Sequence, residues 1–339
     1  MKNVGRSFSP VWTFMNRRLF LILIFILMAI SIFTACKEKD QTAPISFREI
    51  RQHSGAVLPR PQFIKASDGV RLAYYAILPA GKPAAALIFI HGGGAYSGAG
   101  YQYMAVGLSE KHNTAAYLID LRGHGNSGGP RGDAPSVEQV WNDLKLIVTT
   151  VRKNNPGVPL YLGGHSSGGG QILNYLTWDK KADVDGYLFI APQFGYKSDT
   201  ARTDVKISFA QPRLWVFVIS AISGGRLLGN TTAVYFNYPE AVLKAQPLML
   251  KSITRNMSVA MTPDNPQEQF RKIDKRFALF SGASDDLFVP QKVIAYAGYA
   301  ASAIRAQSVH KIIENENHLS ILLTADDLIG KTIVAWQMR

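Results

Sequence analysis

Ser166 is the residue whose surroundings best suit a nucleophile. It lies in Gly164-His165-Ser166-Ser167-Gly168, directly after the apolar run Pro159-Leu160-Tyr161-Leu162-Gly163 and directly before the helix-compatible Gln171-Ile172-Leu173-Asn174-Tyr175-Leu176. A G-x-S-x-G pattern alone is a weak signal, but a strand before it and a helix after it make it the sharp turn called a nucleophile elbow. Flanking backbone passes close to the neighbouring elements in such a turn, so residues without a Cβ fit there at least cost. A serine hydroxyl becomes reactive only when a base takes its proton, an acid orients that base, and donors receive the developing oxyanion. Donors are at hand in Ile90-His91-Gly92-Gly93-Gly94, where glycines after a buried strand let backbone N–H groups reach a ligand. Gly93 N–H and Ser167 N–H form the candidate pair. A phosphate-cradling loop is the weaker reading of these glycines, because neither a Walker lysine nor a G-x-G-x-x-G arrangement accompanies them.

The elements that must position this chemistry alternate along the chain. Residues 70–78, 84–90, 115–120, 185–191, 276–281 and 309–314 read as strands, with the elbow strand among them. Residues 137–151 carry Val140, Leu144, Ile147, Val148 and Val151 at helical spacing, with Ser136 and Gln139 as a capping pair and Asn154-Asn155-Pro156-Gly157 as a stop. A closing helix spans 321–336. Repeated strand-helix-strand units predict an α/β fold with a doubly wound, mostly parallel sheet.

In a hydrolase sheet of this kind the acid and the base follow the serine in that order. Phe277-Ala278-Leu279-Phe280-Ser281-Gly282 runs as a strand into Ala283-Ser284-Asp285-Asp286, which puts two carboxylates at the strand's C-terminal edge, where open α/β sheets build their sites. Asp285, three residues after Gly282, has the commoner spacing for the acid; Asp286 is the fallback, and solvated loop carboxylates are the bland alternative for both. Only two histidines lie downstream. His310 falls inside a strand, whereas His318 follows it in the polar turn Asn315-Glu316-Asn317 and is the candidate base. His53, His112, His124 and His165 are read as structural.

The alternation breaks between about 192 and 275. That stretch reads as a helical lid inserted over the strand ends, assigned to 193–275, or else as ordinary core helices. Its apolar run from Leu214 to Ile222 is too short to span a bilayer and too apolar for an exposed surface. It is expected either to pack as core or to line an acyl channel above Ser166, with Trp215 and Phe217 as its markers.

These residues resemble a known family. Ala66-Ser67-Asp68-Gly69, His91-Gly92, Asp120-Leu121-Arg122-Gly123-His124-Gly125-Asn126-Ser127, the elbow and His318 are similar to the monoacylglycerol lipase and lysophospholipase branch of the α/β-hydrolases, close to the serine aminopeptidases. Esterases with a longer His-Gly-Gly-Gly loop usually place an acid before the elbow serine, where this chain has His165. The resemblance covers most of residues 60–339 and is weakest across the lid. It implies a serine hydrolase for carboxylic esters with an apolar acyl chain, in which Ser166 attacks, His318 shuttles the proton and Asp285 fixes its tautomer. An aminopeptidase or amidase would need lid acids to hold a substrate amine, and few sit in the apolar stretches. A catalytically dead surface-binding lipoprotein is the reading from another class, disfavoured by an intact Ser, Asp and His in order.

The first forty residues pose a separate problem. Lys2, Arg6, Arg17 and Arg18 precede an almost wholly apolar run, 19–33, and then Thr34-Ala35-Cys36. This is the layout of a secretory signal. Cys36 is the only cysteine in the chain, is followed by Lys37-Glu38-Lys39-Asp40, and stands where bacterial lipoproteins carry their acylated cysteine. Phe33 departs from the usual aliphatic residue there. The reading is a signal peptide over 1–35, a lipidated Cys36 with a polar tether over 36–61, and a hydrolase domain over 62–339, held at a bacterial cell-envelope membrane. The alternatives are an uncleaved signal anchor and an ordinary secretory signal with an incidental cysteine. Beyond the signal the chain retains an excess of about nine positive charges. These suit an anionic membrane surface but form no stripe interleaved with aromatics, so nucleic acid is not an expected partner. No internal disulfide is possible, no Cys/His cluster suggests a metal, and the chemistry calls for no cofactor.

Overall fold

The computed structural model describes residues 44–338, Ser54 excepted. The expected signal segment and Cys36 lie outside the described residues. Among those described, no helix is long and apolar enough to cross a membrane.

The strands are β1 (Gln62–Lys65), β2 (Arg71–Ile77), β3 (Ala85–Ile90), β4 (Thr114–Ile119), β5 (Leu160–His165), β6 (Gly186–Ile190), β7 (Ala210–Pro212), β8 (Thr232–Phe236), β9 (Ser252–Thr254), β10 (Phe277–Gly282) and β11 (Val309–Ile313). Eight of them form one sheet in the order β1-β2-β4-β3-β5-β6-β10-β11. β1 and β2 run antiparallel to their neighbours, and every pairing from β4 to β11 is parallel. Every residue of β3, β4, β5, β6 and β10 is buried, as expected of parallel strands covered on both faces.

Alternation along β3 shows how the cover is divided. Ala86, Ile88 and Ile90 belong to one core with α2 (Val137–Asn154) and α3 (Ser167–Thr177), whereas Ala85, Leu87 and Phe89 belong to the other with α1 (Tyr101–His112) and α4 (Ala325–Gln337). The fold is therefore the doubly wound, mostly parallel α/β arrangement expected. Element ends differ from expectation by a few residues, and the closing helix is split, with a 3₁₀ turn over Ser320–Leu323 before α4. At the start of α2 the Ser136 hydroxyl accepts the Gln139 N–H at 3.1 Å. The Gln139 side chain does not return that bond, because it donates to Asp143 instead at 2.8 Å.

The expectations for the tether and the lid need correction. Residues 44–61 are not a free tether throughout: Ile45 is buried, Arg48–Gln52 is helical, and the Ser46 N–H and Glu49 carboxylate bond to Asp286 and Asn317. Polar composition hid this because the docking uses two isoleucines, Ile45 and Ile50, and a few hydrogen bonds. Nor is 193–275 a purely helical lid. It contains the antiparallel sheet β7-β8-β9, and its later helices, Arg255–Met261 and Pro266–Arg271, place Met257, Ala260, Met261 and Phe270 in the main core.

The run from Leu214 to Ile222 does form a helix, but neither expected fate describes it. Only Val216 and Ser220 are buried, Phe217 is packed at the core's margin, and Leu214, Trp215, Val218, Ile219 and Ile222 are exposed, Ile222 by 83%. A helix apolar all round carries no periodicity to mark which side faces out.

Candidate active site

β5 ends at His165 and α3 begins at Ser167, so Ser166 alone makes the turn, with φ 53° and ψ −122°. That positive φ is costly for a residue with a side chain and persists only where the surroundings fix it. Here they do: Ser166 N–H donates to Ile190 O at 3.1 Å, and Ser166 O accepts N–H groups of Gly169 at 3.0 Å and Gln193 at 2.9 Å. The glycines have the steric role expected. A Cβ on Gly164 would lie 2.5 Å from the Gly168 carbonyl carbon, and one on Gly168 would lie 2.4 Å from Ile90 O.

β10 brings the acid to the same edge. Asp285 is fully buried; its Oδ1 accepts the N–H groups of Leu287 and Phe288 at 2.8 and 2.9 Å, and its Oδ2 accepts His318 Nδ1–H at 2.9 Å. Burial pushes this carboxyl up, but the His318 contact and the two N–H bonds outweigh it and hold the group below the usual carboxylate range. Asp286 faces elsewhere: its carboxylate takes the Ser46 N–H at 3.3 Å, and burial raises its pKa. With Nδ1–H committed to Asp285, His318 Nε2 carries the lone pair. The His318 ring is buried between Phe288, edge-on at 5.3 Å, and His165, with centroids 4.8 Å apart.

His165 is structural, as expected, yet it also ties the site together. Its Nε2–H donates to His318 O at 2.9 Å, so its Nδ1 is the acceptor, taking the Tyr101 hydroxyl proton at 2.9 Å. Tyr101 oxygen in turn accepts the Gly92 N–H at 2.8 Å. Burial drives His165 down to about 3, so it is neutral and this directional chain is stable near pH 7. One buried row thus joins the glycine loop, the elbow and the His318 turn.

Because Gly92 N–H is spent on Tyr101, the next glycine carries the open donor. Gly93 N–H finds no acceptor among the described residues, and Ser167, first in α3, has no intrahelical acceptor for its own N–H. The two residues lie against each other: a Cβ on Gly93 would be 3.2 Å from Ser167 Oγ, and one on Gly92 would be 3.2 Å from Ser166 Cβ. The insertion clamps this loop from above. Tyr238 O–H donates to Gly93 O at 2.6 Å, Leu250 N–H donates to Gly94 O at 2.8 Å, and the Phe236 ring lies on Gly93 and Gly94.

The motif at 120–127 supports the site without entering it. Asp120 accepts N–H bonds from Ser97 at 2.8 Å and Asn126 at 2.7 Å, which pins the segment after the glycine loop. Arg122 is buried with its guanidinium forked between Asp143 and Asp68, at 2.8 and 2.6 Å. His124 packs against His91 with ring centroids 5.0 Å apart, and burial holds it down at about 3.

Ser166, Asp285, His318, Gly93 and Ser167 are all brought to one sheet edge. Sequence reasoning missed Tyr101, Tyr238 and Phe236. Tyr101 sits in a helix and reads as core, and no local pattern links Tyr238 to a loop some 145 residues earlier. Among the described residues no cluster of three or more His, Cys, Asp or Glu could hold a metal.

A mostly parallel sheet with the elbow at its C-terminal edge defines the α/β-hydrolase fold. The chain belongs to the family described as serine aminopeptidase, S33, whose model matches residues 81–318. It is 32% identical over 149 residues to monoglyceride lipase from Rattus norvegicus, covering 44% of this chain and 47% of that one. To monoacylglycerol lipase from Mycolicibacterium smegmatis it is 31% identical over 111 residues, covering 32% of this chain and 38% of that one. Each match spans less than half of the relative's length. Among solved structures it resembles a soluble variant of the Saccharomyces cerevisiae monoglyceride lipase bound to a substrate analog, with TM-score 0.59, 20% identity and coverage of 84% of this chain and 95% of that one. A monoacylglycerol lipase from Paleococcus ferrophilus gives TM-score 0.56 at 19% identity, covering 78% and 97%. These structural likenesses speak to fold alone.

Proposed function

We propose that the protein is a serine hydrolase cleaving carboxylic esters with an apolar acyl chain, of monoacylglycerol or lysophospholipid type. The observation that carries the reading is the buried 2.9 Å bond from His318 to Asp285, with the His318 ring against His165, the residue before a strained elbow serine that is itself only half-buried. Ser166 Oγ attacks the ester carbonyl while His318 Nε2 takes its proton, and the N–H groups of Gly93 and Ser167 receive the oxyanion. Collapse expels the alcohol, which leaves with the proton held by His318. Water then attacks the acyl-serine by the same route and releases the acid. Asp285 fixes the His318 tautomer and stabilises its charged form.

An ester with an apolar chain suits the site better than a peptide amine. Phe209, Phe236 and Tyr238 form an aromatic cluster on the glycine loop, with centroid distances of 5.0 to 5.9 Å. The insertion's Glu240 and Asp264 are meanwhile occupied by Lys244 and Lys197 in exposed pairs. The test is fluorophosphonate labelling of wild type and Ser166→Ala, followed by a panel of esters of graded chain length. Labelling should require Ser166, and turnover should favour longer chains; hydrolysis of aminoacyl amides in preference to esters would reverse the substrate assignment.

The same proposal places the domain at a bacterial cell-envelope membrane through lipid on Cys36, supported by the sequence around that residue. Two acyl chains give durable attachment, since burial contributes about 0.8 kcal/mol per CH₂. Mass spectrometry should find a mature N-terminus at acylated Cys36, lost in Cys36→Ser; an unmodified chain starting elsewhere refutes the anchor.

A further inference from the structure

Away from the sheet edge, a half-open cleft of about 400 Å³ lies where the insertion meets the start of α2. Its lining includes Arg226 and Arg255 together with Ser136, Val137, Asn230 and Asn256. Neither arginine has a carboxylate partner among the described residues. The Arg255 guanidinium makes one long bond, 3.4 Å to Asn256 Oδ1, and its Nε is buried with no acceptor. Holding a guanidinium partly out of water without a counter-charge is costly, and burial pushes the pKa of Arg255 down accordingly.

The nearby acids do not answer that charge. Asp133 and Glu138 line no part of the cleft; Asp133 accepts both of its bonds from Asn230, at 2.9 and 3.0 Å, and Glu138 pairs with Lys180 at 2.7 Å. The Ser136 hydroxyl caps Gln139 N–H, which leaves the N–H of Val137, a lining residue at the mouth of an 18-residue helix, without an intrahelical acceptor. Two forked cations and an open N–H donor around one cavity are matched to a tetrahedral oxyanion.

The setting narrows the source. Gly224, Gly225 and Arg226 follow one residue after the exposed apolar helix Leu214–Ile222, and Leu227 beyond them is 57% exposed. From 205 to 239 the chain carries Lys206, Arg213 and Arg226 and not one acid. A cationic cleft at the rim of an exposed apolar helix is the pattern of an element lying in a lipid headgroup layer.

We propose that the cleft between Arg226 and Arg255 is a phosphate-binding site, and that its ligand is the phosphate of a membrane phospholipid. The assignment does not depend on the hydrolase reading. The full chain is tested first with inorganic phosphate against chloride at matched ionic strength, by thermal shift, and then by flotation with phosphatidylcholine vesicles with and without phosphatidylglycerol. Arg226→Gln and Arg255→Gln are compared with Lys82→Gln, an exposed cation outside the cleft that removes the same charge.

Phosphate should stabilise the wild type beyond chloride, and Arg255→Gln should weaken that binding at least about tenfold, the loss expected for a charge-assisted bond. Arg226→Gln should weaken it less, and Lys82→Gln should leave it unchanged. Capture by phosphatidylglycerol vesicles should follow the same ranking. If phosphate binding depends on the arginines but vesicle capture does not, the phospholipid assignment is overturned and the ligand is a soluble phosphate ester. No stabilisation of the wild type beyond chloride, or equal behaviour of Arg226→Gln and Lys82→Gln, overturns the site. Arg226 is exposed, so its variant keeps the test open if Arg255→Gln fails to fold; circular dichroism and short-chain ester turnover monitor integrity.

Discussion

The ends of β5 and β10 and the insertion between them differ in what holds their side chains. At the strand ends the buried side chains behind the nucleophile have fixed partners: Asp285 two backbone N–H groups, His318 Asp285, and His165 both Tyr101 and His318 O. In the insertion, Trp215, Val218 and Ile219 face solvent, and it holds the site through Tyr238, Phe236 and Leu250 over the glycine loop, Gln193 at Ser166 O and Arg202 at Asp285 O. Buried hydrogen bonds leave few alternatives for the side chains that make them. An exposed apolar face is decided by what lies outside the chain. The first region is therefore held by its own hydrogen bonds, whereas the second leaves an apolar face open to its surroundings.

The sharpest division comes from Ser166→Ala, which should lower ester turnover by a factor on the order of 10⁶ while leaving the melting temperature near wild type. Retention of activity within about tenfold would move the nucleophile elsewhere.

Next in size is the contrast between the two aspartates. Asp285→Asn should cost on the order of 10⁴ in kcat, the loss known for an orienting aspartate in serine proteases. Asp286→Asn should stay within about tenfold, since its contact is one 3.3 Å bond to Ser46 N–H. The reverse ranking would contradict the geometry at β10.

Acid stability probes the first region as a buried unit. His165 and His124 sit at about 3 when folded, against about 6.5 in an unfolded chain, so between those values the unfolded state binds more protons. Their contribution is intact above about pH 6.5 and is lost as pH falls towards 3, at a rate on the order of 1 kcal/mol per pH unit for each. Urea unfolding at stepped pH should show that slope, to which the buried His91 adds in the same direction, and His124→Gln should reduce it. A stability flat from pH 7 to 4 would mean that these rings are not buried neutral.

The link between the regions is tested by Tyr238→Phe. Loss of the bond to Gly93 O should lower kcat by about tenfold or less, consistent with one hydrogen bond, with KM nearly unchanged because the loop meets the oxyanion rather than the ground state. A matched rise in KM would make Tyr238 a substrate contact.

The smallest effect belongs to the exposed helix. Trp215→Ala should change stability by no more than about 0.5 kcal/mol and leave short-chain turnover alone. A large drop in melting temperature would show that Trp215 packs as core.

Much of the site was legible because the constraints on it are local. Gly164 is required by contacts within one turn, although Gly168 answers to the end of β3, and the strand before Asp285 and the polar turn before His318 carry their own signals. The choice of Asp285 over Asp286 rested on spacing in sequence, and the structure supplies the physical reason: Asp285 folds back on the N–H groups of Leu287 and Phe288, while Asp286 is turned towards Ser46. The helical lid was misjudged because β7, β8 and β9 are three to five residues long, too short to show a period of two.

The sequence by itself determined the alternating α/β fold, the elbow serine and the histidine in its turn, because periodicity and turn chemistry are properties of neighbouring residues. Only the tertiary structure decided the row from Gly92 through Tyr101 and His165 to His318, the grip of Tyr238 on Gly93, and which apolar residues of 214–222 stay in water. Each of those depends on groups far apart in the chain meeting, or failing to meet, in space, and side-chain type carries no record of such a meeting.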